Sequence, residues 1–271
     1  MKVRDERGYL IVAQSTDTQD YLVCARALAK SIRWFMPNAK ICLLGNHDDD
    51  LFDYCIKLPY GDKGGWANDW QVFRSSPFRQ TIKLEADMIL NGSIEHWWTT
   101  FQNHDVVVAH HSQNFYGQET KIRDYRKWFD TNQLPDVYNA ITYWRLSETA
   151  KEFFDLIREL FENWDQVIEN VKGWDCWQAD TDTAYAVAIK MLGPEKFLLP
   201  YQGPQFAHMK GKINFCDKTD WTKELVWELN EQGLRINSIQ QTVPTHYYIK
   251  ELAPILEEHY DKLLESRRQA Q

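Results

Sequence analysis

Glu85 and Asp87 stand one residue apart in the stretch SPFRQTIKLEADMILNG, residues 76–92, and are the side chains best suited to do chemistry together. The run Thr81-Ile82-Lys83-Leu84 ahead of them is β-prone, and Met88-Ile89-Leu90 follows, closed by the turn pair Asn91-Gly92. In an extended backbone, residues two apart point to the same side, so both carboxylates face one spot. Two like charges about 4 Å apart repel by roughly 4 kcal/mol at an effective dielectric of about 20. Such a pair calls for a proton, a Lys or Arg partner, or a divalent cation. A hard cation held by two carboxylates, with positions left open for phosphate oxygens, is a common grip on a diphosphate. A strand end bearing two solvated acids would leave the same trace in the sequence.

The elements that must position this pair are legible upstream. Tyr9-Leu10-Ile11-Val12-Ala13 is an apolar run suited to a buried strand. Tyr21-Leu22, Ala25, Leu28-Ala29 and Ile32 recur at helical spacing until Pro37-Asn38, and Ile41-Cys42-Leu43-Leu44 makes a second strand closed by Gly45-Asn46. This is a βαβ unit, which implies parallel strands and a ligand crevice beyond their carboxyl ends. Ala13, Gln14 and Ser15 then lie on the crevice rim with Gly45-Asn46. Gln14 and Ser15 would equally serve as helix-capping residues. Tyr21 is placed to stack on a base. The loop Tyr60–Trp70, with its glycines and a lysine, would fold over phosphates or simply ride on the surface. Arg74 and Lys83 flank the acids in sequence and are candidate neutralisers of them or of a diphosphate.

Downstream, Ile94–Phe101 reads as a helix and Asp105–Ala109 as a strand ending in His110-His111, whose alternating directions make a poor metal pair. Leu134–Trp144 is a proline-led turn entering a strand, and Phe153-Phe154, Ile157, Leu160-Phe161 and Trp164 form an amphipathic core stripe. Asp180 or Thr181 caps a helix running through Met191, Lys196–Leu199 reads as a strand, and Lys250–Arg267 is an amphipathic helix.

The chain of 271 residues is long enough for a sizeable core, with 26% charged and 44% hydrophobic residues. Twelve Trp, thirteen Tyr and thirteen Phe suit both stacking on ligands and filling the core. A net charge of −8 argues against a broad nucleic-acid surface, although Lys121, Arg123, Arg126 and Lys127 form a local basic patch. Five scattered cysteines without CxxC spacing read as reduced thiols. No signal-type h-region or membrane-length apolar stretch is present in the sequence, so a soluble, cytoplasmic protein is expected.

The acid segment resembles the metal-binding signature of nucleotide-sugar glycosyltransferases with the GT-A fold, and most closely the family 8 type with its phage and bacterial relatives. Ser76-Pro77-Phe78, Thr81, Leu84, Ala86 and Asp87 match that pattern, and Glu85 stands where the family has its first Asp. The resemblance implies a single GT-A (Rossmann-like) α/β domain with a mainly parallel central sheet flanked by helices. Residues of about 1–110 would form the nucleotide-binding half and about 111–250 the acceptor half, with the C-terminal helix at 251–271. It further implies Mn2+ or Mg2+ held by Glu85, Asp87 and a C-terminal histidine. His208, in His208-Met209-Lys210-Gly211, resembles that histidine, with His246 as the alternative, and Lys210 would then lie near the diphosphate. Ala13, Gln14, Ser15 and Tyr21 would contact the donor, expected to be a UDP-sugar. Asn139, in the family's second landmark, and Asp182 would position the sugar. Family 8 membership would imply retention of configuration. Some phage relatives glycosylate hydroxymethylated pyrimidines in DNA, which makes modified DNA one acceptor to test beside glycans, proteins and small metabolites.

Two other classes share the paired acids. A sugar-phosphate nucleotidyltransferase would carry a glycine-rich basic loop after the first strand, where this chain reads AQSTDTQDY. An inactive nucleotide-sugar-binding module is compatible with Glu in place of Asp.

Overall fold

The first apolar run sits at the heart of the fold. In the computed structural model, which describes residues 5–15, 20–58, 66–121, 126–174, 179–214, 216 and 220–270, it forms the second half of β1 (Asp5–Ala13). There follow α1 (Tyr21–Phe35), β2 (Ile41–Gly45), β3 (Tyr54–Ile56), a 3-10 turn (Trp66–Gln71) leading into α2 (Val72–Ser75), β4 (Phe78–Glu85), β5 (Met88–Ile89), α3 (His96–Phe101) and β6 (Val106–Ala109). The second half contains β7 (His111–Gln113), β8 (Glu119–Thr120), α4 (Lys127–Thr131), β9 (Tyr138–Arg145), α5 (Glu148–Glu162), α6 (Trp164–Asn170), α7 (Thr181–Leu192) and β10 (Gln205–His208). It ends in β11 (Trp227–Asn230), β12 (Gly233–Ile236), β13 (Ile239–Gln240), β14 (Thr245–His246) and α8 (Ala253–Gln269).

The main sheet has the order β3-β2-β1-β4-β9-β6. β3, β2, β1 and β4 are mutually parallel, and β9 runs antiparallel to both β4 and β6. Because helices cover such a sheet, β2 is buried along its whole length and needs no polar alternation. One edge of the sheet therefore gathers the carboxyl ends of β1, β2, β4 and β6 and, since β9 is reversed, the start of β9 at Tyr138-Asn139. Close approach at this edge demands glycine at 45, where a Cβ would lie 2.2 Å from the Ala13 carbonyl oxygen. A second sheet, β5-β14-β10-β7-β8, grows from the strands that continue past this edge, and a meander of β11, β12 and β13 lies apart.

The expected α/β architecture with a mainly parallel central sheet is observed. Lys196–Leu199 is not a strand. Gly193 at φ +101° and Pro194, which lacks an N–H, turn the chain into a short 3-10 piece instead, although the Phe197 carbonyl still accepts from the Val108 N–H at 3.0 Å. The C-terminal helix begins at Ala253-Pro254, after a 3-10 turn at Lys250–Leu252. Residues 60–65 of the glycine-rich loop, Arg123 and Cys176 lie outside the described residues. Among the described residues no helix is long and apolar enough to cross a membrane.

α8 is fastened to α1 by charge as well as by apolar contact. The buried Lys30 Nζ reaches Glu257 at 2.7 Å and Asp261 at 2.5 Å, and Arg26 links Glu257, at 2.6 Å, to Asp49. Glu257 is thus shared by two cations. Glu257→Ala is expected to lower unfolding stability by about 1.5–3 kcal/mol, the usual worth of hydrogen bonds to charged groups, as read from urea midpoints.

Candidate active site

Glu85 is the last residue of β4, and the chain turns through Ala86-Asp87 to re-enter as β5. β5 pairs antiparallel with β14, setting His246 opposite Met88, while the Tyr247 N–H donates to the Asp87 carbonyl at 3.1 Å. This register carries the His246 imidazole to the acids. Its Nε2 lies 2.9 Å from Asp87 Oδ2 and 3.6 Å from Glu85 Oε2. Lys250 Nζ joins from the other side, 2.6 Å from Asp87 Oδ2, and donates to the Tyr248 carbonyl at 2.9 Å. Tyr248 is left-handed, at φ +65°, which folds the chain back so that Lys250 returns to the site.

Of the two candidate histidines, it is His246 that meets the carboxylates. β10 lies parallel to β14 with His208 opposite His246, and the two rings stack with centroids 4.9 Å apart at an interplanar angle of 3°. Their Nδ1 atoms are 3.0 Å apart, so His208 stands one ring behind the position expected of it. Tyr138, at the start of β9, backs both imidazoles, with centroid distances of 5.2 and 5.6 Å.

Asp182 and Asn139 meet as a pair. Asp180 caps α7 by accepting from the Thr183 N–H, which places Asp182 in the first turn. Asp182 Oδ1 accepts from the Asn139 backbone N–H at 2.6 Å, and its Oδ2 lies 2.6 Å from Arg126 Nη1. The buried Asn139 side-chain oxygen has no hydrogen-bond partner among the described residues. Arg126, read from sequence as part of a surface basic patch, is instead turned inward onto Asp180 and Asp182.

Other expected site residues are placed differently. Lys83 is buried and pairs directly with Asp69 at 2.7 Å and with the Asn139 carbonyl at 3.3 Å, while its charge still acts on Glu85 and favours the ionised form of that carboxyl. Arg74 pairs with Asp155 on α5 in the outer helix layer, not with either acid. Ser15 serves the start of α1, its Oγ accepting from the Tyr21 N–H at 3.1 Å. Ala13 is fully buried at the end of β1, and Gln14 follows it on the rim. Tyr21, at the first position of α1, is half-buried and feels the charges of Lys250, Asp87 and Glu85. Lys210 lies 5.8 Å from the Tyr248 ring, and Lys250 packs 4.9 Å from it. Lys250 was missed in the sequence, where it reads only as the first residue of an amphipathic helix. Its spacing of four from His246 was the available signal.

The electrostatics set the groups apart. Burial, reinforced by the charge of Asp87 and opposed by His246, pushes the Glu85 carboxyl up to about 7. Burial acts on Asp87 in the same sense, but His246 and Lys250 outweigh it and hold that carboxyl below its ordinary range. His246 is raised, because Asp87 and Glu85 favour its charged form more than burial opposes it. Burial and the His246 charge press His208 well below the usual histidine range. Burial, with Arg126 and Lys212 nearby, lowers Lys210 to about 8. A half-buried cation crowded by other cations is suited to an anionic ligand.

Glu85, Asp87 and His246 each offer one ligand atom, all within 4.8 Å of one another. Two carboxylate oxygens and one imidazole nitrogen form a donor set that suits Mn2+ and tolerates Mg2+. The Lys250 ammonium on Asp87 Oδ2 already shows that this point attracts a cation. The residues fit the divalent ion that the sequence resemblance implies.

No protein-family profile matches the sequence, and no curated protein matches it. Solved structures do match by shape. The galactosyltransferase LgtC, in complex with donor and acceptor sugar analogs, superposes over 93% of this chain and 95% of its own, with TM-score 0.55 and 10% identity. Mouse xyloside xylosyltransferase 1 matches over 72% of this chain and 85% of its own, with TM-score 0.45 and 14% identity. The glycosyltransferase GlyE of Streptococcus pneumoniae matches over 72% of this chain, which spans 46% of GlyE, with TM-score 0.44 and 12% identity. At such identities the shared property is architecture, and the chain has the GT-A glycosyltransferase fold.

Proposed function

We propose that the protein is a metal-dependent glycosyltransferase that moves a sugar from a nucleotide-sugar, by preference a UDP-sugar, to a hydroxyl acceptor. One observation carries this reading: two carboxylates and an imidazole converge at the carboxyl edge of the main sheet, on a fold shared with LgtC. Ligands bind at that edge in α/β sheets. Mn2+ or Mg2+ held by Glu85, Asp87 and His246 would act as a Lewis acid toward the departing diphosphate.

The protein groups divide the remaining work. Lys210 and Lys250, both beside the Tyr248 ring, supply positive charge for the diphosphate oxygens. The unpartnered Asn139 oxygen is an acceptor for a sugar hydroxyl, and Asp182, fixed by Arg126 and by the Asn139 N–H, holds its carboxylate beside it. Tyr21 offers a ring to the base. In this reading the chain forms a single catalytic domain in which both halves hold the donor, Tyr21, Glu85 and Asp87 from the first and Asn139, Asp182, Lys210, His246 and Lys250 from the second. Cys24, Cys42, Cys55 and Cys216 are free, which accords with a cytoplasmic setting.

The direct test is release of nucleoside diphosphate from a panel of nucleotide-sugars with and without Mn2+. Metal-dependent release with at least one donor is expected, and metal-independent release or none at all would sink the reading. Pyrophosphate in its place would identify a nucleotidyltransferase. The acceptor panel should include glycans and 5-hydroxymethylcytosine DNA, with transfer read as a mass shift. The inward commitment of Arg126 removes one of the cations that favoured DNA.

Base stacking gives a smaller prediction. Tyr21→Ala is expected to weaken UDP binding about tenfold, within the roughly 1–3 kcal/mol typical of one stacked base. Tyr21→Phe should bind as wild type does, and calorimetric titration with UDP checks both.

A further inference from the structure

The arrangement that the metal reading leaves unexplained is the second imidazole. His208 is buried, with 1% of its surface exposed, its ring is parallel to that of His246, and its Nδ1 lies 3.0 Å from that of His246. A buried histidine is costly to orient unless its nitrogens have a task. Here β10 and β14 pair in the one register that sets the two rings side by side, and Tyr138 closes the stack.

We infer that His208 is a positioning residue for the metal site: it accepts a hydrogen bond from the Nδ1–H of His246 and so presents the Nε2 lone pair of His246 to the cation. This rests on the metal reading above and goes beyond it. The argument is one of proton placement. His246 Nε2 is the nitrogen that faces Asp87 and Glu85, so it must be bare to serve as a ligand. A neutral imidazole then carries its proton on Nδ1, and the atom facing that proton is His208 Nδ1. His208 Nδ1 must be the acceptor, which leaves its own proton on Nε2, a buried atom without a hydrogen-bond partner among the described residues, so Nδ1 alone orients the ring. Metal-bound histidines generally lean on a carboxylate, a carbonyl or water through the far nitrogen. Here another imidazole takes that part. Among the described residues the ligand atoms that gather within 4.8 Å are those of Glu85, Asp87 and His246, and His208 is not one of them.

The test compares Mn2+ affinity across variants by electron paramagnetic resonance of free Mn2+, independent of turnover. His208→Phe keeps a ring in the stack but has no acceptor, and is expected to weaken Mn2+ binding about 10- to 100-fold. His208→Asn restores an acceptor oxygen near the place of Nδ1 and should bind within about threefold of wild type, a loss below roughly 0.7 kcal/mol. If His208→Phe bound as wild type does, or His208→Asn were as weak as His208→Phe, the inference would fall while the metal site stood. If the wild-type protein bound no Mn2+, the metal reading itself would fall and take this role with it. Histidine 15N shifts in the Mg2+-loaded protein give a second readout that does not depend on mutation. His208 protonated on Nε2 and His246 on Nδ1 is expected, and the opposite tautomer on His208 would overturn the assignment.

Discussion

Asp87→Asn is expected to abolish measurable Mn2+ binding and to lower sugar transfer about 10³-fold, equivalent to roughly 4 kcal/mol of transition-state stabilisation. Asp87 is the acid on which the site converges, since His246 Nε2 and Lys250 Nζ both lie within hydrogen-bond distance of its Oδ2. The amide keeps the shape and one acceptor oxygen but removes the charge that draws a cation. Glu85→Gln should be milder, because Glu85 is half-buried and lies farther from His246. The pair of variants, with circular dichroism to verify folding, separates loss of a ligand from loss of structure. Equal activity in Asp87→Asn and wild type would remove the metal from the reaction.

The same geometry predicts how pH acts on the metal. Burial raises Glu85 to about 7, and Asp87 with Glu85 raises His246, so both ligands hold protons more readily than isolated groups would. Binding the ion must expel those protons. The sign is therefore fixed: apparent Mn2+ affinity should rise with pH by up to about tenfold per unit for each proton released, then level off once both Glu85 and the raised His246 have lost their protons. Titrations at a series of pH values measure the slope. A flat profile from pH 5 to 8 would mean that the carboxylate and the imidazole are not ligands (pH values on the order of those at which such groups titrate).

What could be read from the sequence follows from the range of each interaction. The acid pair was visible because a local β-prone run leads into it. Ala86-Asp87 is nevertheless a turn after β4 and not the extended backbone expected, so the turn and not strand alternation brings the two carboxylates together. The βαβ start was visible because β1, α1 and β2 each carry a complete periodic pattern. The choice between His208 and His246 was not local. It depends on β14, a strand of two residues, pairing with β5, which joins His246 to an acid 159 positions away. The meander β11–β13 carried no sequence expectation, because strands of two to four residues are too short for alternation to stand out. Lys196–Leu199 looked like a strand by composition, and the backbone constraints of Gly193-Pro194 decided otherwise. Charge misled at Lys83 and Arg126. A lone lysine or arginine in sequence reads as solvated or ligand-facing, and only the folded chain reveals the buried acids that receive them.

Lys83 gives the largest expected effect on stability. Its Nζ lies 2.7 Å from Asp69 Oδ1, with side-chain exposures of 2% and 11%, and the Tyr185 hydroxyl donates to the other Asp69 oxygen at 3.0 Å. Among the described residues, Lys83→Met leaves the interior Asp69 carboxylate with only that hydroxyl. Stranding one member of a buried pair costs about 3–5 kcal/mol, whereas removing both charges is often nearly neutral. Lys83→Met is therefore expected to lose that amount in urea unfolding, and Lys83→Met with Asp69→Asn to recover more than half of it, since Asn still accepts from Tyr185. The double variant also decides what Lys83 does in the working protein. Its contact with the Asn139 carbonyl places it behind the Asn139–Asp182 pair to which the proposed function gives the sugar, and on that proposal it does not touch the diphosphate. UDP affinity in the refolded double variant should match wild type, and a tenfold loss would put the Lys83 ammonium at the donor after all.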